Sequence, residues 1–422
     1  MKIILQLTKW IAAAVLLGCV ISHPAQGAQV VATFTVNTTD DAADGTCDSA
    51  HCSLREAMNA ANDSDGVDTI GFNISGEGIH TIQPTSALPP ITDPVVIDGG
   101  TQPGFTDQPL IELDGSMAGS GVNGLTIFAG ESVIKSLIIN RFAFAGIFMG
   151  LGGGNTIIGN YIGTNTDGTA AAGNRDGVYM LQSHNNIIGG TTPDARNVLS
   201  GNWDDGINPN TANGTIILGN FIGTSADGLH PIGNSGDGIK IDARSNDTQI
   251  GGKSDEGGGA NVIAYNNGRG VYMEADGDNY GVGNHIFENA IYDNGGLGID
   301  LGGDGVTANG DDDSGPNHLQ NFPILTSVQT TGTTILVEGT LSGEADLEYR
   351  LEFFANETCD DSGNGEGERF IGAAMIVTGG SGEDSFSIEL EAEVVTGTFI
   401  SATATDEANN TSEFSACLEV SG

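Results

Sequence analysis

The sequence predicts an all-β protein in two parts, a parallel β-helix followed by a β-sandwich, with one short helix capping the β-helix at its N-terminal end. Three observations carry this. From Asn123 to Leu301 one phrase keeps returning, a polar residue, then glycine, then a branched apolar residue. Its glycines are Gly124, Gly146, Gly177, Gly206, Gly238, Gly270 and Gly298, 22 to 32 residues apart. Self-similarity at a period of about 20 to 50 residues marks a repeat architecture. Shorter phrases subdivide each period, such as Asn-Thr-Ile-Ile-Gly-Asn at 155–160 and Asn-Val-Leu-Ser-Gly-Asn at 197–202. Each turn of chain therefore reads as about three short strands with Gly and Asn corners, the coil of a parallel β-helix. Beyond Pro323 the period is lost and alternating runs appear, as at 334–338, 349–354, 386–390 and 398–405. Short alternating strands over such a length argue an immunoglobulin-like sandwich. Finally, residues 53–62 alone read as a helix, with Ser53 and Glu56 as a capping box and Leu54, Met58 and Ala61 on one face.

Taken in order, residues 1–27 read as a secretory signal peptide. Lys2 and Lys9 precede an apolar run from Trp10 to Val20, and Ala25-Gln26-Gly27 supplies small residues at the cleavage spacing. The run is too short to span a membrane. Leu16-Leu17-Gly18-Cys19 offers a second reading, a lipoprotein box with a lipid on Cys19. Either way the expected location is outside the cytoplasm, secreted or on the outer surface. Residues 28–65 form the expected cap: a β-branched strand over 29–39, an acidic loop, then the helix. A solenoid end exposes an apolar cross-section and open strand edges, so it needs such a cover. Beyond the leader stand Cys47, Cys52, Cys359 and Cys417. An even count after a signal peptide reads as two disulfides, most economically Cys47–Cys52 and Cys359–Cys417.

The cap also carries a likeness. Residues 38–57, which end in Cys52-Ser-Leu-Arg-Glu-Ala57, resemble the CSLREA motif that opens many secreted bacterial β-helix proteins. Phrases at 97–104 (Ile-Asp-Gly-Gly-Thr-Gln-Pro-Gly), 188–198 and 315–323 are similar to the same family. The resemblance spans nearly the whole chain beyond the leader. It implies a right-handed parallel β-helix and export, with roles in the family running from surface proteins to carbohydrate-active ones.

The solenoid is expected over 66–301. Two matched insertions, 162–174 and 222–234, should protrude from one side as parallel loops. Asn155, Asn160, Asn174, Asn202, Asn220, Asn234, Asn284, Asn289 and Asn294 recur at corners. Stacked asparagines bond amide to amide along such an axis, so these are read as structural. Residues 302–322 read as an acidic linker. Asp300, Asp304, Asn309, Asp311 and Asp313 offer it hard oxygen ligands, a candidate calcium site weighed against a solvated linker. The sandwich is expected over 323–422.

With 55 acidic against 13 basic residues the net charge is −42. That field repels nucleic acid and anionic membranes, both of which need clustered Lys and Arg. The candidate chemistry lies on the rungs. The residue before each rung glycine is Asn123, Ala145, Asp176, Asp205, Asp237, Arg269 and Leu297 in turn. Stacked in register, Asp176, Asp205, Asp237 and Arg269 would form a line of carboxylates and a guanidinium about 5 Å apart, flanked by Arg175, Trp203 and Asp204. Carbohydrate lyases hold Ca²⁺ on such clusters beside an Arg or Lys base, and hydrolases pair two carboxylates. The competing reading is that Asp-Gly is a turn dipeptide with its carboxylate splayed into water. Motifs of known pectate lyases and polygalacturonases are absent, so the sequence favours a binding or structural role with a polysaccharide target. A polysaccharide lyase, hydrolase or epimerase on the Asp176–Arg269 face is the alternative.

Overall fold

The computed structural model describes residues 31–422 apart from Ala243 and residues 311–313. The leader, with Cys19, and the acidic residues Asp311 and Asp313 thus lie outside the described residues. Among the described residues, three parallel sheets of nine, eight and seven strands wrap a right-handed β-helix, and an antiparallel sandwich of three- and four-stranded sheets follows. The rung glycines open the third sheet, whose strands are Leu125–Ile127, Ile147–Gly150, Val178–Leu181, Ile207–Asn210, Ile239–Ile241, Val271–Met273 and Ile299–Leu301. Their first residues pair in sequence, Ile147 with Val178, Val178 with Ile207, Ile207 with Ile239, Ile239 with Val271 and Val271 with Ile299. These side chains point inward and are fully buried, each contributing about 1.5–3 kcal/mol of apolar burial.

Close approach makes the rung glycines necessary. A Cβ at Gly177 would stand 2.4 Å from the carbonyl oxygen of Gly206, one at Gly206 2.6 Å from that of Gly238, and one at Gly270 2.6 Å from that of Gly298. The chain turns so tightly into the third sheet that the next rung occupies the side-chain position.

Two asparagine ladders hold the corners on either side of the second sheet. One runs Asn160, Asn197, Asn220, Asn261, Asn289, with side-chain amide-to-amide bonds of 3.1, 2.9, 3.0 and 2.8 Å. The other runs Asn174, Asn202, Asn234, Asn266, Asn294, with bonds of 3.2, 2.9, 2.8 and 2.9 Å. Each carbonyl oxygen also accepts the backbone N–H of the preceding asparagine, as Asn261 Oδ1 does from Asn220 N–H. Each amide donates its other hydrogen to an inward-facing backbone carbonyl, as Asn220 does to Ile188. At each interior rung of these buried corners the amide thus donates twice and accepts twice, as at Asn220.

The N-terminal cover is the helix Leu54–Asn62. Ser53 Oγ accepts the Glu56 N–H, and the Glu56 carboxylate accepts the Ser53 N–H. Leu54, Ala57, Met58 and Ala61 are buried against the first coils. The disulfides are Cys47–Cys52 and Cys359–Cys417. The two insertions form stacked hairpins, with Thr164 bridging Ala171, Thr224 bridging Pro231, and Ala226 N–H donating to Gly168 O at 2.8 Å.

The sandwich follows the immunoglobulin pattern, with its fourth strand, Arg369–Val377, paired to the third, Glu348–Asn356. Its sequence role as a separate module misses a second one: it closes the C-terminal end of the solenoid. Phe354 and Phe414 join the solenoid core. Three glutamates then accept N–H groups that the last coil leaves open: Glu352 from Glu288, Glu366 from Asp293 and Asn294, and Glu413 from Leu301 and Thr307. The stretch read as a linker contributes Asn317, fully buried, which accepts the Asn284 N–H at 3.0 Å and so continues a third corner file.

Two outcomes follow from this construction. Asn220→Ala strips partners from several buried backbone groups, and should lower stability by roughly 2–4 kcal/mol in urea unfolding. A loss within measurement error would mean the ladder is ornamental. Burial raises Glu352, Glu366 and Glu413 from the ordinary 4.5 to about 7. The folded protein therefore holds protons that the unfolded chain releases between these values. The stability these groups contribute is full below pH 4.5 and is lost as pH rises toward 7. The melting temperature should fall across that window, and less steeply in Glu413→Gln.

Candidate functional site

The second asparagine ladder stands directly ahead of the carboxylate row. Asn202 precedes Asp205, Asn234 precedes Asp237 and Asn266 precedes Arg269 by three residues each, while Asn174 precedes Asp176 by two. Because the ladder pins each corner, the row is held in register by backbone bonds: Gly177 N–H to Asp205 O, Gly206 N–H to Asp237 O, and Gly238 N–H to Arg269 O, at 2.9–3.0 Å. Side chains extend the pattern. Asp237 N–H donates to Asp205 Oδ1 at 2.9 Å, and Arg269 N–H donates to Asp237 Oδ1 at 2.7 Å.

The structure thus brings Asp176, Asp205, Asp237 and Arg269 onto one line, and it does not splay them into water. Asp176, Asp205 and Asp237 are 0%, 4% and 6% exposed. The turn reading fails because the backbone between the second and third sheets folds over each carboxylate. A Cβ at Gly236 would strike Asp205 Oδ1, and one at Gly268 would strike Asp237 Oδ1. Asp-Gly is used here for packing as well as for turning.

Burial, the largest influence on all three, disfavours their charge. It pushes Asp176 up to about 6, against the neighbouring Arg175 guanidinium. It pushes Asp205 up to about 7, against the Asp237 N–H bond and with the help of Asp204, Asp237 and Asp176. Asp237 is raised as well, but the Arg269 N–H and the cations of Arg269 and Lys240 oppose burial there. The row therefore contains unlike neighbours, Asp205 surrounded by other carboxylates and Asp237 with cationic support.

Asp205, Asp237 and Arg269 line a groove of about 420 Å³ that also receives Arg175, Tyr179, Asn208, Lys240, Asp242 and Tyr272, while Asp176 lies buried outside its lining. Lys240, Asp242, Asn208, Tyr179 and Tyr272 were not singled out as partners of the row in the sequence, yet a signal was present. Two residues after each rung glycine stand Thr126, Phe148, Tyr179, Asn208, Lys240, Tyr272 and Asp300, one file on the outer face of the sheet. The period-2 alternation of a strand would have found it. Lys240 lies 3.0 Å from Asp242 and 3.6 Å from Glu274. Arg269 lies 2.9 Å from Asp300 and 3.8 Å from Asp237, with its guanidinium 4.2 Å above the Tyr272 ring. Trp203 is exposed, its ring packed on Gly173, and it does not line the groove.

The candidate calcium ligands do not converge among the described residues. Asp300 is buried at the end of the carboxylate row, bound to Arg269 and to the Gly303 N–H. Asn309 spends its amide on the backbone of Phe322. Asp304 is exposed. A tighter oxygen cluster lies elsewhere: one oxygen from each of Asp176, Asp204 and Asp205 lies within 4.8 Å of the others. There the Arg175 Nε, 3.1 Å from Asp176 and 3.6 Å from Asp204, supplies a positive charge.

Fold and groove together define a right-handed parallel β-helix with a carboxylate-lined groove on one sheet. No protein-family model matches the chain, and no curated protein matches it. Among solved structures it is similar to the periplasmic alginate epimerase AlgG, at 16% identity and a TM-score of 0.31, covering 56% of this chain and 57% of that one. The chain thus spans little more than half of the epimerase. It is also similar to the enzymatically active domain of bacteriophage CBA120 tailspike protein 2, at 12% identity and TM-score 0.24, covering 85% of this chain and 67% of that one. The Dettilon tailspike protein matches at 13% identity and TM-score 0.24, over 80% and 90% of the two chains. Likenesses of this size concern chain path alone.

Asp205 carries a measurable signature. A carboxyl whose folded pKa is raised from 3.8 to about 7 costs the fold stability progressively as pH rises from the lower value to the higher, and the full cost stands above it. Asp205→Asn should therefore be more stable than the parent chain by about 1–3 kcal/mol at pH 8 and indistinguishable at pH 4. Equal stability at both pH values would show that Asp205 ionises freely.

Proposed function

We propose that this chain is an exported protein that binds a carbohydrate polymer along the third sheet and hydrolyses its glycosidic bonds in the Asp205–Arg269 groove. The observation that carries the reading is a buried row of carboxylates lining one groove, in which Asp205 is crowded by Asp204 and Asp237 while Asp237 has Arg269 3.8 Å away. A scaffold needs only a smooth rod, whereas general acid–base chemistry needs a group protonated near neutrality beside one that is not. Asp205 is assigned as the acid that protonates the leaving oxygen. Asp237, next on the row and supported by Arg269 and Lys240, is assigned as the ionised carboxylate. Neighbouring rungs bring such groups to roughly 5 Å, the separation that retaining glycosidases use.

Lyase or epimerase chemistry with an Arg or Lys base would require that cation to give up its proton. The two cations deepest in the groove are poor for this. Burial works against the charge on Lys240, but Asp242, Glu274 and Asp205 outweigh it and hold its pKa above the ordinary range. Arg269 is likewise held above its ordinary value, burial being outweighed by Asp237 and Asp300. Export is supported by the two disulfides, which persist in oxidising compartments. No helix among the described residues is long and apolar enough to cross a membrane.

Incubation with a panel of polysaccharides, with and without Ca²⁺, should release new reducing ends from at least one without ultraviolet-absorbing unsaturated products. Asp205→Asn should lower the rate by about 10²–10⁴-fold. The rate should also decline as pH rises above 7, where Asp205 loses its proton. Unsaturated products, or an unchanged rate in Asp205→Asn, would refute the assignment.

A further inference from the structure

The outer file of the third sheet changes character at the groove. On its N-terminal side it carries Phe148 and then Tyr179, paired on adjacent strands. Their rings are stacked at 5.8 Å between centroids and 25° between planes, so they form one nearly continuous surface. Phe128 meets Phe148 edge-on at 6.1 Å, and Phe144 meets Tyr179 edge-on at 5.9 Å. Phe128, just beyond the strand Leu125–Ile127, is 43% exposed, a large apolar side chain open to solvent beside the sheet. Tyr179 belongs to both surfaces, because it also lines the carboxylate groove. A ligand seated at Asp205 and continuing along the sheet toward the N-terminus must therefore run onto these rings.

Charge narrows what that ligand is. The groove region holds Arg175, Lys240 and Arg269, but each is already paired to carboxylates on the same face: Asp176 and Asp204, Asp242 and Glu274, and Asp237 and Asp300. With Asp205 added, carboxyl groups outnumber cations in a chain of net charge −42. A polymer bearing a carboxylate on every ring would meet repulsion and find no free cation to pair with. An uncharged sugar ring offers instead an apolar face for aromatic stacking and hydroxyls for Asn208 and the carboxylates.

We propose that the groove takes an uncharged polysaccharide, and that the aromatic cluster of Phe128, Phe148 and Tyr179, with Phe144, is the subsite tract that seats sugar rings on the N-terminal side of the cleavage point. This rests on the hydrolase reading for the position of the cleavage point, but not for the binding itself. The test is affinity electrophoresis of the Asp205→Asn chain, so that binding is read without turnover. Gels hold β-glucan, mannan, xylan, polygalacturonate or alginate. At least one uncharged polymer should retard the protein while the two polyuronates do not. Phe128→Ala and Phe148→Ala should each weaken that retardation about five- to tenfold, with an unchanged melting temperature. Phe128 is already exposed, so its removal keeps the test independent of folding.

Retardation by polyuronates alone, retardation undiminished in both aromatic variants, or none by any uncharged polymer would each overturn the proposal. The two readings fail separately. Aromatic-dependent binding without new reducing ends from the parent chain would sink the hydrolase reading and leave the subsite tract standing. Cleavage of an uncharged polymer with KM unchanged in both aromatic variants would do the reverse.

Discussion

The solenoid depends on keeping successive coils in register, and the buried asparagine ladders enforce that register. A parallel sheet pairs equally well if a strand slips by two residues, since its inward face stays apolar. An asparagine corner does not tolerate the slip. Its amide must meet the next coil's carbonyl oxygen on one side and an interior backbone carbonyl on the other, as Asn220 meets Asn261 and Ile188. Misplacing one coil would strand these groups without water, at a cost of about 1–3 kcal/mol for each. The rung glycines reinforce this by admitting the next coil's carbonyl where a side chain would stand.

That precision is what allows carboxylates to be buried in a row. Asp205 and Asp237 each sit under the following coil and accept its N–H, so every one is tied to the same ladder that fixes its backbone. The arrangement is costly, because burial opposes ionisation along the whole row. A chain rich in aspartate has ample surface on which to leave these groups hydrated. Concentrating them beneath the backbone of one sheet is a departure from the local rule, and such departures are where function is expected.

The two ends of the solenoid answer the same problem with different chemistry. At the N-terminal end a capped helix covers apolar cross-section. At the C-terminal end the sandwich presents Phe354 and Phe414 to the core and three glutamates to the open N–H groups of the last coil. Both protect strand edges that would otherwise pair with another chain.

The sequence alone determined the coil and the identity of the row Asp176–Asp205–Asp237–Arg269, because both follow from a phrase repeated at a near-fixed period, and the capping box and disulfide pairing, because a local motif and an even cysteine count mark them. It also marked most ladder asparagines, though Asn197, Asn261 and Asn266 were not picked out as members. What it left undecided was burial. Asp-Gly reads the same whether the carboxylate meets water or lies beneath the next coil, and only the stacking of coils distinguishes them. Spacing within one segment likewise placed Asp300 in a calcium loop, whereas the neighbouring rung assigns it to Arg269. The glutamate clasp on the last coil joins residues more than 60 positions apart, and no local pattern can announce it. Contacts along the chain follow from the sequence period, but contacts across it depend on which surface the fold puts next to which.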